Sequence, residues 1–284
     1  MSADHSTFAQ LLARLETPAR RLCVGIDPHP ELLSHWGLDD SAAGSEQYAT
    51  RLIDAALESG ISLMKPQVAL FERHGVAGMR VLAQLMGHMR TRGMAVIADA
   101  KRGDIGTSLS GYASAWLAPG SDFEADALTL SPYLGLGALN PALDMAREHG
   151  KGVFVLAATS NPEGQTLQTA RTTQGLSVAQ WVLEGLQEIS SAAPGAATGW
   201  LGAVVGATSD RGALGVDLER APDVSVLAPG FGHQGARLSE LEDLFGAATP
   251  RVIPTVSRSV GGKDPGGVVD RLSQHQEELR RVGS

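Results

Sequence analysis

Apolar residues recur along this chain in two alternating patterns. Eight are short strand-like runs, at residues 22–26, 63–64, 95–98, 127–130, 153–157, 203–205, 224–228 and 252–256. A run of this kind, bounded by polar or turn residues, predicts a strand covered on both faces. Between most of the runs lie apolar stripes at helical spacing. Tyr48, Leu52, Ala55, Ala56 and Ser59 form one; Leu82, Leu85, Met86 and Met89 form another. Val178, Trp181, Val182, Leu186 and Ile189 form a third, and Val268, Val269 and Leu272 a fourth. Such stripes predict core-facing helices rather than cofactor-binding faces. Residues 212–222 and 238–245 are shorter helix candidates. One further amphipathic segment, 8–15, precedes the first run and carries Phe8, Leu11, Leu12 and Leu15.

Buried strands alternating with helices predict a parallel sheet wrapped in helices, and eight such units predict a closed (β/α)8 TIM barrel. An open doubly wound sheet is the alternative. At 284 residues, with 43% hydrophobic content, residues 1–284 read as a single barrel domain with an N-terminal helical extension. Two stretches fit neither pattern. Residues 27–45 carry Pro28, Pro30 and Gly37, and residues 162–174 are rich in Thr and Gln. Both read as long loops, either lids over a site or disordered insertions.

Charge and cysteine content narrow the function. The net charge is −8 and no block of Lys or Arg occurs, which argues against a nucleic-acid partner. The start, Met1-Ser2-Ala3-Asp4-His5, has no basic segment followed by an apolar one, and no apolar run approaches the roughly 18 residues of a membrane span. The expectation is a cytoplasmic protein with no membrane partner. A lone cysteine, Cys23, excludes an internal disulfide; its apolar run makes it a core residue, with a reactive thiol as the other reading.

Barrel chemistry gathers at the carboxyl ends of the strands, so the residue that ends each run matters. The first run ends at Asp27 and the second at Lys65. The third runs into Ala98-Asp99-Ala100-Lys101-Arg102-Gly103-Asp104-Ile105. Residues two apart on a strand share a face, so Asp99 and Lys101 are expected to project together, with Asp104 on the loop beyond. A carboxylate beside an amine keeps it charged, and the ammonium can then stabilise developing negative charge and protonate it. A surface ion pair is the alternative for that spacing. Ser131 ends the fourth run. The seventh runs into Pro229-Gly230-Phe231-Gly232-His233-Gln234-Gly235, and the eighth ends in Ser257-Arg258-Ser259. Gly230 and Gly232 would let backbone N–H groups approach a phosphate, and Arg258 adds a forked cation. The other reading is a tight turn and a solvated Arg. As a dinucleotide fingerprint the Gly230-x-Gly232-x-x-Gly235 spacing fails, because Glu240, Glu242 and Asp243 come too early for the ribose acid expected about 20 residues on. No HExxH pair of histidines or Gly-x-Ser-x-Gly elbow occurs, so no metal site or serine nucleophile is expected.

These residues match a family. Asp99-x-Lys101-x-x-Asp104-Ile105 resembles the signature of orotidine 5′-phosphate decarboxylases, and the 229–235 turn and Ser257-Arg258 resemble their phosphate-binding segments. The wording of residues 98–105 is most similar to the subfamily typified by mycobacterial enzymes. The Asp-x-Lys core alone is shared with sugar-phosphate aldolases and decarboxylases of the same suprafamily. The resemblance implies a homodimer with shared active sites that converts orotidine 5′-monophosphate (OMP) to UMP and CO2 with no cofactor. It implies Lys101 as proton donor to C6, Asp99 beside the departing carboxylate, and Lys65 in the charged network and, with Asp27, on the ribose hydroxyls. Asp104 would join Asp99 as a catalytic residue that keeps Lys101 protonated and fixed; Asp104, Ile105 and Ser108 would reach the partner subunit's site, where the family commonly has Thr at the position of Ser108. Ser131 would face the pyrimidine, Gln234 would bridge base and phosphate, and Arg258 would hold the phosphate. A Mg²⁺-dependent sugar-phosphate enzyme of the suprafamily and a non-catalytic phosphate-ligand sensor are the alternatives.

Overall fold

A computed structural model describes residues 7–192 and 199–282; the leader reading at residues 1–5 lies outside them. Eight parallel strands close into a barrel in sequential order, and helices cover its outside. The strands are β1 (Cys23–Ile26), β2 (Leu63–Pro66), β3 (Ala95–Arg102), β4 (Ala127–Leu130), β5 (Gly152–Ala158), β6 (Leu201–Val205), β7 (Ser225–Pro229) and β8 (Val252–Val256). β1 closes the ring by pairing with β8, Cys23 opposite Thr255. This is the predicted (β/α)8 architecture, and the doubly wound alternative falls.

Alternation along the strands sorts the side chains into two sets. Val24, Met64, Val96, Leu128, Val155, Val226 and Val256 pack outward against the helices. Cys23, Leu63, Ile97, Ala127, Phe154, Leu227 and Ile253 fill the interior. That interior layer is sealed from below by the N-terminal helix Phe8–Arg14, whose Phe8 and Leu12, with Leu15 just beyond, pack into it. Phe8 meets Phe154 edge to face, ring centroids 5.9 Å apart. Thr7 caps this helix in a reciprocal box with Gln10. Above the apolar layer, the same interior parity carries Asp27, Lys65, Gln67, Asp99, Thr129, Thr255 and Ser257, so a greasy floor supports a polar upper layer.

Two of the longer helices had no assigned stripe. Gly106–Leu117 follows β3 and buries Leu109, Ala113, Trp116 and Leu117; Asn140–Glu148 follows β4 and buries Ala142, Leu143 and Ala146. Both long loops are also corrected. Within 27–45, Pro30–His35 is a helix started by proline, and Ser41 caps the helix Ala42–Glu58. Leu32, Leu33 and Trp36 are buried, and the Trp36 indole N–H donates to the Gly261 carbonyl at 2.9 Å. This segment is therefore packed structure, not an open lid or an insertion. Residues 162–174 hold a 3-10 turn, Pro162–Gly164, and a short helix, Gln165–Thr169, tied down by Gln168, whose amide bonds the Thr159 N–H and hydroxyl.

Candidate active site

The polar layer centres on Asp99. Its Oδ2 accepts from the Lys65 ammonium at 2.6 Å and from the Gln67 amide at 3.2 Å. Its Oδ1 accepts from the Lys101 ammonium at 2.6 Å and from the Thr129 hydroxyl at 3.1 Å. The Gln67 carbonyl oxygen in turn accepts from Lys101 Nζ at 3.3 Å. The surface-ion-pair reading fails, because the Asp99 side chain is 10% exposed and that of Lys65 only 5%. Lys101 is the exposed partner, at 41%, and lines a cleft of about 700 Å³ together with Ser131.

Charge coupling explains how these groups stay ionised. Burial pushes the Asp99 pKa up, but Lys65 and Lys101 outweigh it and hold the carboxyl well below the ordinary carboxylate range. Burial alone would lower Lys65, yet Asp99 and then Asp27 raise it above its ordinary value. Lys65 thus links Asp27 to the Asp99–Lys101 pair. Asp27 Oδ2 accepts from the Ser257 hydroxyl at 2.5 Å, while its buried Oδ1 has no hydrogen-bond partner.

The expected alternation of Asp99 and Lys101 is only part of how they meet. β3 pairs Ala98 with Leu128 and then Arg102 with Leu130, so the residues between bulge out of the ladder. Lys101 adopts φ +49°, the one positive φ at a non-glycine among the described residues. The helix Gly106–Leu117 follows, with Asp104 and Ile105 just before it and Ser108 in its exposed first turn. Among the described residues Asp104 forms no ion pair; its carboxylate accepts from the Ile105 N–H at 2.8 Å. Within one chain it therefore does not help hold Lys101.

The 229–235 turn and Arg258 lie on the β7–β8 side of the mouth, apart from the residues that line the cleft beside Lys101. Gly230 and Gly232 have φ of +114° and +76°. A Cβ on Gly230 would come within 3.2 Å of the Gln234 amide oxygen, and one on Gly232 within 2.5 Å of Ser259 Oγ. These close approaches bring Gln234 and the residue after Arg258 onto the turn. The Gly232 N–H, expected to be free for an anion, instead donates to the Ala236 carbonyl at 2.8 Å. His29 sits among these groups. Burial depresses its pKa, Asp27 opposes that, and Arg258, Arg73 and His233 add to it.

Sequence reasoning missed Gln67 and Thr129. The period-two rule contained both, since Gln67 lies two residues beyond Lys65 and Thr129 two before Ser131, on the same interior parity. Cys23 also sits inside, wholly buried, with its thiol pushed up to about 12 by burial, which settles it as a core residue.

Fold and site together define a barrel enzyme whose strand ends present a buried carboxylate clamped by two ammonium groups, one of them facing a cleft. The chain belongs to the orotidine 5′-phosphate decarboxylase / HUMPS family, whose model matches residues 20–268. It is 47% identical over 259 residues to an orotidine 5′-phosphate decarboxylase of Salinispora arenicola, covering 91% of each chain. It is 43% identical to the Corynebacterium efficiens enzyme of that name, again over 91% of each. A crystal structure assigned to an orotidine 5′-phosphate decarboxylase of Streptomyces avermitilis superposes with a TM-score of 0.89 at 42% identity, covering 99% of this chain and 98% of that one.

Proposed function

We propose that this protein decarboxylates OMP to UMP, the closing step of pyrimidine nucleotide synthesis, with Lys101 as the proton donor to C6. The observation that carries the reading is the Lys65–Asp99–Lys101 clamp at the mouth of the barrel. Loss of CO2 from C6 leaves an electron pair in the ring plane, out of reach of the π-system. No delocalisation helps there, so stabilisation has to be electrostatic, and a fixed ammonium in a sheltered site supplies it. Asp99 keeps Lys101 charged and aimed, and lies beside the substrate carboxylate. Asp27, with its unpartnered carboxylate oxygen, and Lys65 take the ribose hydroxyls. Ser131 faces the pyrimidine from the same cleft as Lys101. Gln234 spans base and phosphate, and Gly230 and Arg258 hold the phosphate, while Gly232, whose N–H is taken by the Ala236 carbonyl, shapes the turn. Binding energy from that remote group can be spent on ordering the reacting end.

The working unit in this reading is a homodimer. Apart from Val76, the exposed large apolar side chains among the described residues, Ile105, Tyr112, Tyr133, Leu134 and Leu167, all follow β3, β4 or β5. One sector of the barrel mouth is thus apolar and uncovered. Asp104, Ile105 and Ser108 lie in that sector and are free to enter a second subunit's site. We read residues 1–284 as one domain. No helix of the described residues is long and apolar enough to cross a membrane, in keeping with a cytoplasmic enzyme.

The direct test is loss of orotidylate absorbance on mixing OMP with the purified, chelator-treated protein. Turnover that survives EDTA is expected. Turnover that needs added Mg²⁺ supports the sugar-phosphate reading, and UMP binding without CO2 release supports the sensor. Arg258→Ala should weaken UMP binding by about 10-fold or more, as loss of a charge-assisted contact worth roughly 1.5–3 kcal/mol predicts. An unchanged dissociation constant in a titration removes Arg258 from the phosphate site.

A further inference from the structure

We propose that Thr129 is a positioning residue for the decarboxylation, holding Lys101 in the strained backbone conformation from which its ammonium pairs with Asp99. The proposal rests on the reading of Lys101 as proton donor and deepens it. A left-handed backbone at a non-glycine residue is strained and persists only where the surroundings enforce it. At Lys101 the enforcing groups can be named. The register slip leaves Asp99, Ala100 and Lys101 without partners on β4, so the Lys101 N–H is not held by the regular β3–β4 ladder. Thr129 Oγ1 holds it instead, accepting from the Lys101 N–H at 2.9 Å.

The same hydroxyl has its own proton to place. Asp99 Oδ1 lies 3.1 Å away, against 3.5 Å for the Ala98 carbonyl, so the carboxylate is the better acceptor. The contacts close a ring. The Lys101 N–H donates to Thr129 Oγ1, Thr129 donates to Asp99 Oδ1, and Lys101 Nζ donates to that same oxygen at 2.6 Å. One buried hydroxyl, on a residue 1% exposed, thereby fixes both ends of the lysine. Packing alone does not ask for it, since valine would fill the same volume on this strand and suit it as well.

The test compares Thr129→Val, Thr129→Ala and Thr129→Ser with Lys101→Ala in steady-state decarboxylation. Valine keeps the shape and removes the acceptor, alanine gives the same information if the valine chain fails to fold, and serine restores the hydroxyl. Expected are kcat losses of about 100-fold for valine and alanine, the scale of a misplaced reacting group, with KM for OMP within about threefold. Serine should stay within about fivefold of the parent in kcat. A folded valine or alanine chain with kcat within about threefold of the parent overturns the proposal. So does an equal loss in the serine chain, which makes the role one of packing. A Lys101→Ala chain that turns over normally overturns the donor reading and this proposal with it, whereas an inactive Lys101→Ala beside a normal Thr129→Val overturns this proposal alone.

Discussion

Lys101→Ala is expected to fold like the parent and to lose at least about 10³-fold in turnover, within the span of a general-acid contribution. The fold should tolerate it because Lys101 is the solvent-facing member of the clamp and Asp99 keeps the Lys65 ammonium at 2.6 Å. Rapid-mixing or long-time absorbance assays on OMP check the rate, and retained activity removes Lys101 as donor. The variant also tests the shared site. Asp104→Ala should be impaired on its own, and mixing the two variants should recover up to about a quarter of parental activity. Random exchange makes half the dimers mixed, each with one native site. This is the behaviour expected of a two-fold interface that contributes residues across itself. No recovery after subunit exchange counts against sites built from two chains.

Asp99→Asn should cost stability as well as rate. Removing the anion leaves the Lys65 ammonium, 5% exposed, without its nearest counter-charge. Breaking a buried pair from one side typically costs about 3–5 kcal/mol. Urea unfolding should show a loss near the lower bound, because Asp27 also favours charged Lys65. Adding Lys65→Met should return much of that stability while activity stays lost. The pH dependence has a definite sign. The Asp99 carboxyl is held below its ordinary value in the fold, so its contribution is complete above the unfolded pKa of about 3.9 and fades as pH falls below it. The parent should therefore lose stability on acidification more steeply than Asp99→Asn. Parallel acid limbs in the two chains would show that the carboxylate is not held as described.

Strands and floor were readable because burial on both faces leaves a mostly apolar run, and the predicted runs 127–130 and 252–256 coincide with β4 and β8. Helix Gly106–Leu117 was harder to read: its first turns hold Gly106, Thr107, Ser108, Ser110 and Gly111, which dilute the stripe of Leu109, Ala113 and Trp116. Residues 27–45 misled because proline suggested a loop where it begins a helix. The charged candidates at the strand ends were legible, since ions at the end of an apolar run have few structural uses. Gln67 and Thr129 were not, because a neutral amide and a hydroxyl on a strand read as ordinary surface or packing. The bulge in β3 has no local signature at all: a lysine gives no hint of positive φ, and only the pairing with β4 imposes it.

The helix corking the barrel floor turns the lone cysteine into an intrinsic gauge. Phe8, Leu12 and Leu15 share one apolar cluster with Cys23, which has no solvent exposure. A thiol reagent reaches that sulfur only when the cork lifts or the strands part. The labelling rate of the unmodified protein, with and without UMP, therefore reports whether filling the mouth of the barrel steadies its opposite end.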